Sequence, residues 1–133
     1  MPATLSEISI SIDGTHHIYQ KNPLYTWRFN KVLSFHHLGY APVEDDTGAY
    51  YIDVDGNPVC KMRFLKVYGY YENLSTVCSL SGYYHIDTNF EPIYDERYAW
   101  AGNFQEGVCT VRDKNGRYFH IDRKGNRIYQ QSY

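Results

Sequence analysis

Two His-x-Asp triplets hold the side chains best suited to chemistry: His85-Ile86-Asp87 and His120-Ile121-Asp122. Residues two apart on a strand share a face, so each His would project beside its Asp. If the segments carrying them stack, two imidazoles and two carboxylates approach one another, a donor set able to hold a metal. His85, Asp87, His120 and Asp122 are therefore the metal candidates. Against that reading stand the equivalent triplets Tyr51-Ile52-Asp53 and His17-Ile18-Tyr19, which cannot supply the same donors. Each Asp also opens a turn, and a metal site needs three or four converging ligands. The structural reading is preferred, and neither metal nor cofactor is expected. Asp53-Val54-Asp55-Gly56-Asn57 shares its opening with an EF-hand loop but has Phe64 at the twelfth position, so turn chemistry explains it better. The pairs His16-His17 and His36-His37 suggest no chemistry. No nucleophile elbow, phosphate loop or Cys–His pair with a supporting acid is visible, so no catalytic residue is assigned and no enzyme is expected.

Aromatic side chains offer a second kind of site. Tyr50, Tyr51, Tyr83, Tyr84, Tyr118 and Phe119 recur in pairs, and exposed rings can stack on sugars or bases. The binding surface drawn from this pattern comprises Tyr51, Tyr84, Trp100 and Phe119. The competing reading makes the rings core and cross-strand pairs.

The elements that position these residues follow from a period. Gly14, Gly48, Gly82 and Gly116 are each 34 residues apart, each followed by an aromatic or His pair and Ile. A fixed period of this size marks one small unit copied several times. A downstream aromatic recurs at Phe29, Phe64, Tyr98 and Tyr133, and an upstream signature at Gly39 to Val43, Asn73 to Val77 and Gly107 to Val111. In the last copy Val108–Arg112 is rich in β-branched residues, residues 117–122 are aromatic and alternating, and residues 127–130 form a third short run. Turn signals separate them, which predicts three strands joined by tight hairpins. Asp or Ser opening each first turn can bond the backbone two residues on, and Gly three later tolerates positive φ. Phe90 breaks the second turn of the third copy, so Asn89 is expected in the left-handed position there, or a different loop. Residues 98–104 are too short and aromatic for a free linker, which predicts that Trp100 and Phe104 pack at the seam between copies.

The fold expected is all-β: three-stranded antiparallel meanders of about 34–35 residues, stacked in an open twisted array, with propeller-like closure as the alternative. The copies are drawn as a degenerate 1–29, then 30–64, 65–98 and 99–133, within one repeat domain covering 1–133. Three short strands cannot bury a core alone, so stacking must supply it. A composition 17% aromatic, with 15 Tyr and 6 Phe, suits thin sheets, because Tyr buries a ring while its hydroxyl finds a partner.

A formal charge of −2 argues against nucleic acid as a partner, and no sustained apolar run suggests a membrane. Cys60, Cys78 and Cys109 are odd in number without CxxC spacing, which points to reduced thiols and the cytoplasm. Five acids and no base lie between Glu44 and Asp55, and six bases with two acids between Arg112 and Arg127. Such blocks read either as solvated turns or as a basic end that meets a partner, with self-association one outcome.

Together these signatures resemble the bacterial WG-repeat family, which couples an F-x-E-G-φ-x-x-V half to an aromatic-Gly-φ-Ile-Asp half and a turn ending in Gly. Phe104-Gln105-Glu106-Gly107-Val108-Cys109-Thr110-Val111 carries the first half, and Phe119-His120-Ile121-Asp122-Arg123-Lys124-Gly125 the second except at one position. The resemblance covers roughly residues 30–133. The Trp-Gly pair that names the family is replaced by Tyr50-Tyr51, Tyr84-His85 and Phe119-His120, as in a divergent branch. The resemblance implies β-rich interaction modules, sometimes placed before an enzymatic domain such as a methyltransferase, and transfers no catalytic residues. Tyr133 falls where a next connecting segment would begin, and no polar cap closes the array. The chain is therefore expected to be the N-terminal part of a longer protein, or to have its end covered by a partner. The function expected is a non-catalytic module for protein–protein or domain–domain contact. The alternatives are small-ligand or carbohydrate binding on a Tyr-rich face, or service as an accessory domain of a larger enzyme.

Overall fold

In the computed structural model, which describes residues 4–128, twelve strands form four three-stranded antiparallel sheets. The first contains β1 (Ser9–Ile10), β2 (His17–Tyr19) and β3 (Asn22–Pro23); the second β4 (Lys31–Val32), β5 (Ala41–Asp45) and β6 (Gly48–Ile52). The third contains β7 (Lys66–Tyr71), β8 (Leu74–Ser79) and β9 (Gly82–Ile86); the fourth β10 (Trp100–Ala101), β11 (Val108–Arg112) and β12 (Tyr118–Asp122). Strand order follows chain order in every sheet, so each is a meander, one per copy, and none closes on itself. The fold is all-β; among the described residues the one helical piece is a 3₁₀ turn at Leu5–Glu7. The chain divides into two compact units, one ending at Tyr70 and the other beginning at Tyr71, a division that falls inside β7.

The hairpin pattern places β11 and β12 correctly but misplaces the third strand. It was expected downstream, at residues 127–130, of which Tyr129 and Gln130 lie outside the described residues. The fourth sheet takes its third strand from upstream, Trp100 pairing with Arg112 and Ala101 with Val111. Downstream runs make single bridges instead: Ile52 with Pro58, Ile86 with Pro92 and Ile121 with Arg127. In the first copy the downstream run does form the third strand, Ile18 pairing with Pro23 and Tyr19 with Asn22; Pro58 and Pro92 lack the N–H that would extend their bridges into a ladder. Residues 98–104 are thus partly strand. Phe104 is buried, as a seam residue should be, whereas Trp100 is half-exposed.

The turns behave as their side chains dictate. Asp53 Oδ1 accepts from the amides of Asp55 and Asn57, Asp87 from those of Asn89 and Glu91, and Asp122 from those of Lys124 and Asn126, at 2.8–3.1 Å. Each turn closes with a bond to the opening carbonyl: Gly56, Phe90 and Gly125 donate to Asp53, Asp87 and Asp122 at 3.0 Å. The expected adjustment at Asn89 does not occur. Phe90 itself takes φ +66°, and the loop keeps the geometry of its glycine counterparts. Three hydrogen bonds anchored on Asp87 hold that conformation against a cost of roughly 1–2 kcal/mol for a left-handed L-residue. Gly125 is less replaceable, since a Cβ there would lie 2.7 Å from Tyr94.

Burial differs among the sheets. In β6 and β8 four consecutive residues are buried, Ala49 to Ile52 and Leu74 to Val77. Both faces of those strands are covered. In β11 and β12 burial alternates: Cys109, Val111, Phe119 and Ile121 point inward while Thr110 and His120 stay partly open. A period of two means one covered face. Tyr25, Phe29, Val32, Val43, Tyr50 and Ile52 make one core cluster in the first unit. In the second, Tyr94 packs edge-on to Tyr98 at 5.7 Å, and Tyr98 to Phe119 at 5.8 Å.

Candidate functional site

Each buried histidine is spent on joining one copy to the next. His85 is fully buried on β9, with Nε2 2.8 Å from the carbonyl oxygen of Gly102 and Nδ1 2.6 Å from the Tyr94 hydroxyl. A carbonyl only accepts, so Nε2 carries the proton and donates, and the Tyr94 hydroxyl donates to Nδ1. Phe104 packs on the imidazole with centroids 4.6 Å apart. Thr76, opposite His85 in the ladder, donates from Oγ1 to the same Gly102 oxygen at 2.9 Å. The first unit repeats the device: His17 Nδ1 lies 2.6 Å from the Tyr25 hydroxyl, Nε2 2.8 Å from the Leu33 oxygen, and Phe35 packs on the ring at 4.5 Å. In the second copy the equivalent residue is Tyr51, also fully buried, which packs on Tyr70 at 5.4 Å.

This accounts for three of the four metal candidates, the fourth, His120, being half-buried on β12. Asp87 and Asp122 are occupied by turn amides, and His85 by Tyr94 and Gly102. Among the described residues no three His, Cys, Asp or Glu side chains gather as a ligand set. Burial lowers the His85 pKa to about 4 despite its bond to Gly102, leaving the ring neutral at neutral pH. Cys109 Sγ lies 3.8 Å from His85 Nε2, but burial pushes the thiol up to about 12. Both groups are held neutral, the reverse of an activated thiolate–imidazolium pair.

The four aromatics expected on a binding surface separate. Tyr51, Tyr84 and Phe119 are all less than a tenth exposed, whereas Trp100 is 40% exposed. Tyr84 has the Arg97 guanidinium over its ring at 3.8 Å, and Phe119 has that of Arg127 at 4.4 Å. Tyr51 and Tyr84 lie in runs of consecutive buried residues and Phe119 on the covered face of β12, so a surface through all four does not form; Trp100 remains. Arginine is what the sequence reading missed. Arg63 covers Tyr50 at 3.6 Å, and Arg28, Arg63 and Arg97 each donate from Nη1 to carbonyls of the preceding loop. The signal was present as Arg28-Phe29, Arg63-Phe64 and Arg97-Tyr98, recurring at the repeat spacing.

Part of the basic block is likewise used internally. Arg123 pairs with Glu72 at 3.3 Å, Lys114 donates to the Ser81 oxygen at 3.2 Å, and Arg112 lies over Tyr118. What the fourth sheet leaves open is a groove of about 370 Å³ lined by Trp100, Gly102, Asn103, Gln105, Glu106, Val108, Cys109, Thr110 and His120. Trp100 forms one wall, its ring beside Gly102, where a Cβ would come within 3.1 Å of it. Thr110 and His120, directly opposite in the ladder, are part of its lining. Among the described residues no helix is long and apolar enough to cross a membrane.

Comparison with known proteins agrees with this construction. Residues 86–118 match the family described as the WG containing repeat. No curated protein matches the chain. Among solved structures it is similar to the crystal structure of BamB from Moraxella catarrhalis, with a TM-score of 0.62 and 14% identity over 96% of this chain and 46% of that one. The chain thus spans less than half of that structure, and the likeness concerns the fold. A WG-type segment thus runs from the end of β9 into β12, within a chain that builds one hairpin sheet in every copy.

Proposed function

We propose that the chain is a non-catalytic repeat module that binds a protein partner, or a following domain of its own chain, through the outward face of the fourth sheet. The observation that carries this reading is the contrast in burial: β6 and β8 are covered on both faces, while β11 and β12 are covered on one. The open face holds a half-exposed Trp, the residue type enriched at protein contacts, among hydrogen-bonding groups that include one carboxylate, Glu106. Its buried histidines and cysteine are held neutral and engaged in packing, which suits a scaffold better than acid–base chemistry. Three unpaired thiols accord with the cytoplasm as its compartment, and the net charge with a protein partner in preference to nucleic acid.

A photo-crosslinking residue at Gln105, exposed on the groove rim, tests the assignment against the same residue at Lys21, exposed in the first copy. Protein adducts at position 105 and none at 21 are expected in cells expressing the chain. Equal labelling at both positions would count against it. A second reading, a small ligand such as a sugar, rests on Trp100 beside Asn103 and Gln105. A glycan array separates the two.

A further inference from the structure

The groove on the fourth sheet repeats a surface that the chain fills at its other junctions. Thr110 and His120 face each other in the ladder as Thr76 and His85 do. In the third sheet that pair is fully buried, because Gly102 presents its carbonyl to Thr76 and His85 and Phe104 packs on the imidazole. Asn103, between them, accepts a bond from Thr76 Oγ1 at 3.0 Å. His17 receives the Leu33 carbonyl and the Phe35 ring in the same relation. Tyr51 receives the Tyr70 ring in the corresponding place. The incoming segment therefore carries an aromatic two residues after the carbonyl: Leu33 and Phe35, Gly102 and Phe104. At the fourth sheet the equivalent pair is half-buried and lines the groove.

We infer that this groove is a receptor for an extended peptide segment that presents a backbone carbonyl to Thr110 and His120 and an aromatic ring two residues further on, the connecting segment of a further repeat copy. The inference rests on reading this face as the interaction surface and names what that surface takes. Within this chain the segments of that pattern, at Leu33 and Gly102, are already seated on His17 and His85. The occupant is therefore a segment of the same chemistry from outside the described residues.

A synthetic peptide with the sequence of residues 99–105 (Ala-Trp-Ala-Gly-Asn-Phe-Gln) supplies the probe, added to the isotopically labelled full chain and followed by NMR. Saturable shifts are expected at Thr110, His120 and the Trp100 indole, with affinity at least tenfold weaker when the peptide's Phe is replaced by Ala. A second arm appends another copy of residues 99–133 after Tyr133, raising the effective concentration to the millimolar range. There the Thr110 and His120 amides should gain protection from hydrogen exchange, and the added copy's Phe→Ala variant should lose it. The inference is overturned if neither arm perturbs Thr110 and His120, if the response ignores the Phe, or if a monosaccharide shifts the same signals while the peptide does not. A partner crosslinked at Gln105 that lacks such a segment would overturn it too, while leaving the interaction-module reading standing.

Discussion

The two compact units solve one problem with the same parts. In each, a buried histidine is held between a tyrosine hydroxyl at 2.6 Å and a carbonyl of the next copy at 2.8 Å, with a phenylalanine against the ring. The partners sit two repeats apart: His17 and His85, Tyr25 and Tyr94, Leu33 and Gly102, Phe35 and Phe104. At this position the first and third copies use a buried His, the second uses the buried Tyr51, and the fourth carries the half-buried His120. The units differ in how tightly the latch is closed. Phe104 is 1% exposed and Thr76 adds its hydroxyl to the shared carbonyl, whereas Phe35 is only partly buried. A repeated plan therefore does not mean equal coupling between copies.

The largest effect expected on this comparison is truncation of the two phenylalanines. Phe104→Ala removes a fully buried ring and should cost about 3–5 kcal/mol, seen as a lower denaturation midpoint in urea. Phe35→Ala, starting from partial burial, should cost about half as much. Equal losses would mean that the difference in burial carries no weight and that both latches couple their copies alike.

Protonation comes next. Burial holds the His85 pKa at about 4, below its ordinary value of 6.5. Between those values the unfolded chain binds a proton that the folded chain refuses, so stability is full above about pH 6.5 and declines as pH falls toward about 4. A depression of this size corresponds to roughly 3 kcal/mol at the acid end of that window. Burial also lowers His17, so the first unit should weaken in the same direction. Melting temperatures across this range for the native chain and His85→Gln check it. The variant should be less stable at pH 7 but flatter toward acid, and an unchanged slope would mean that His85 does not carry the effect.

Much of this construction could be read from the residues, and the reasons for the rest are physical. Period and hairpin turns were legible because turn chemistry is local: Asp53, Asp87 and Asp122 bond amides within four residues. Phe104 was legible as a seam residue, since an aromatic in a short connector has few other places to go. The third strand was not, because Pro58 and Pro92 remove donors from a run that otherwise looks like a strand. Nor was the fate of the tyrosines. Pairs such as Tyr50-Tyr51 on strands buried on both faces offer no alternation to mark an outside. The partners of His17 and His85 were equally illegible, since what engages them is a backbone carbonyl 16 or 17 residues away. Any residue type supplies a carbonyl, so Leu33 and Gly102 give no warning in a sequence.

The smallest effect distinguishes packing from charge as the source of coupling. Arg123 in the fourth copy pairs with Glu72 in the third at 3.3 Å, and both side chains are between a quarter and a half exposed. Lys31 and Glu44, within the first unit, approach only to 3.9 Å and are more exposed. Exposed pairs contribute about 0–1 kcal/mol and are screened by salt. Arg123→Ala should therefore lower stability by less than 1 kcal/mol, and Lys31→Ala by less still, with both differences shrinking in 1 M salt. Glu72 is the more sensitive partner, because its Oε1 also accepts from the Gly107 amide at 2.8 Å. Glu72→Ala should then exceed Arg123→Ala by the worth of that amide bond, about 0.5–1.5 kcal/mol, and this excess should persist at high salt. If it vanished with the ion pair, the Gly107 bond would be contributing nothing, and the turn at Glu106-Gly107 would be held by its own backbone alone.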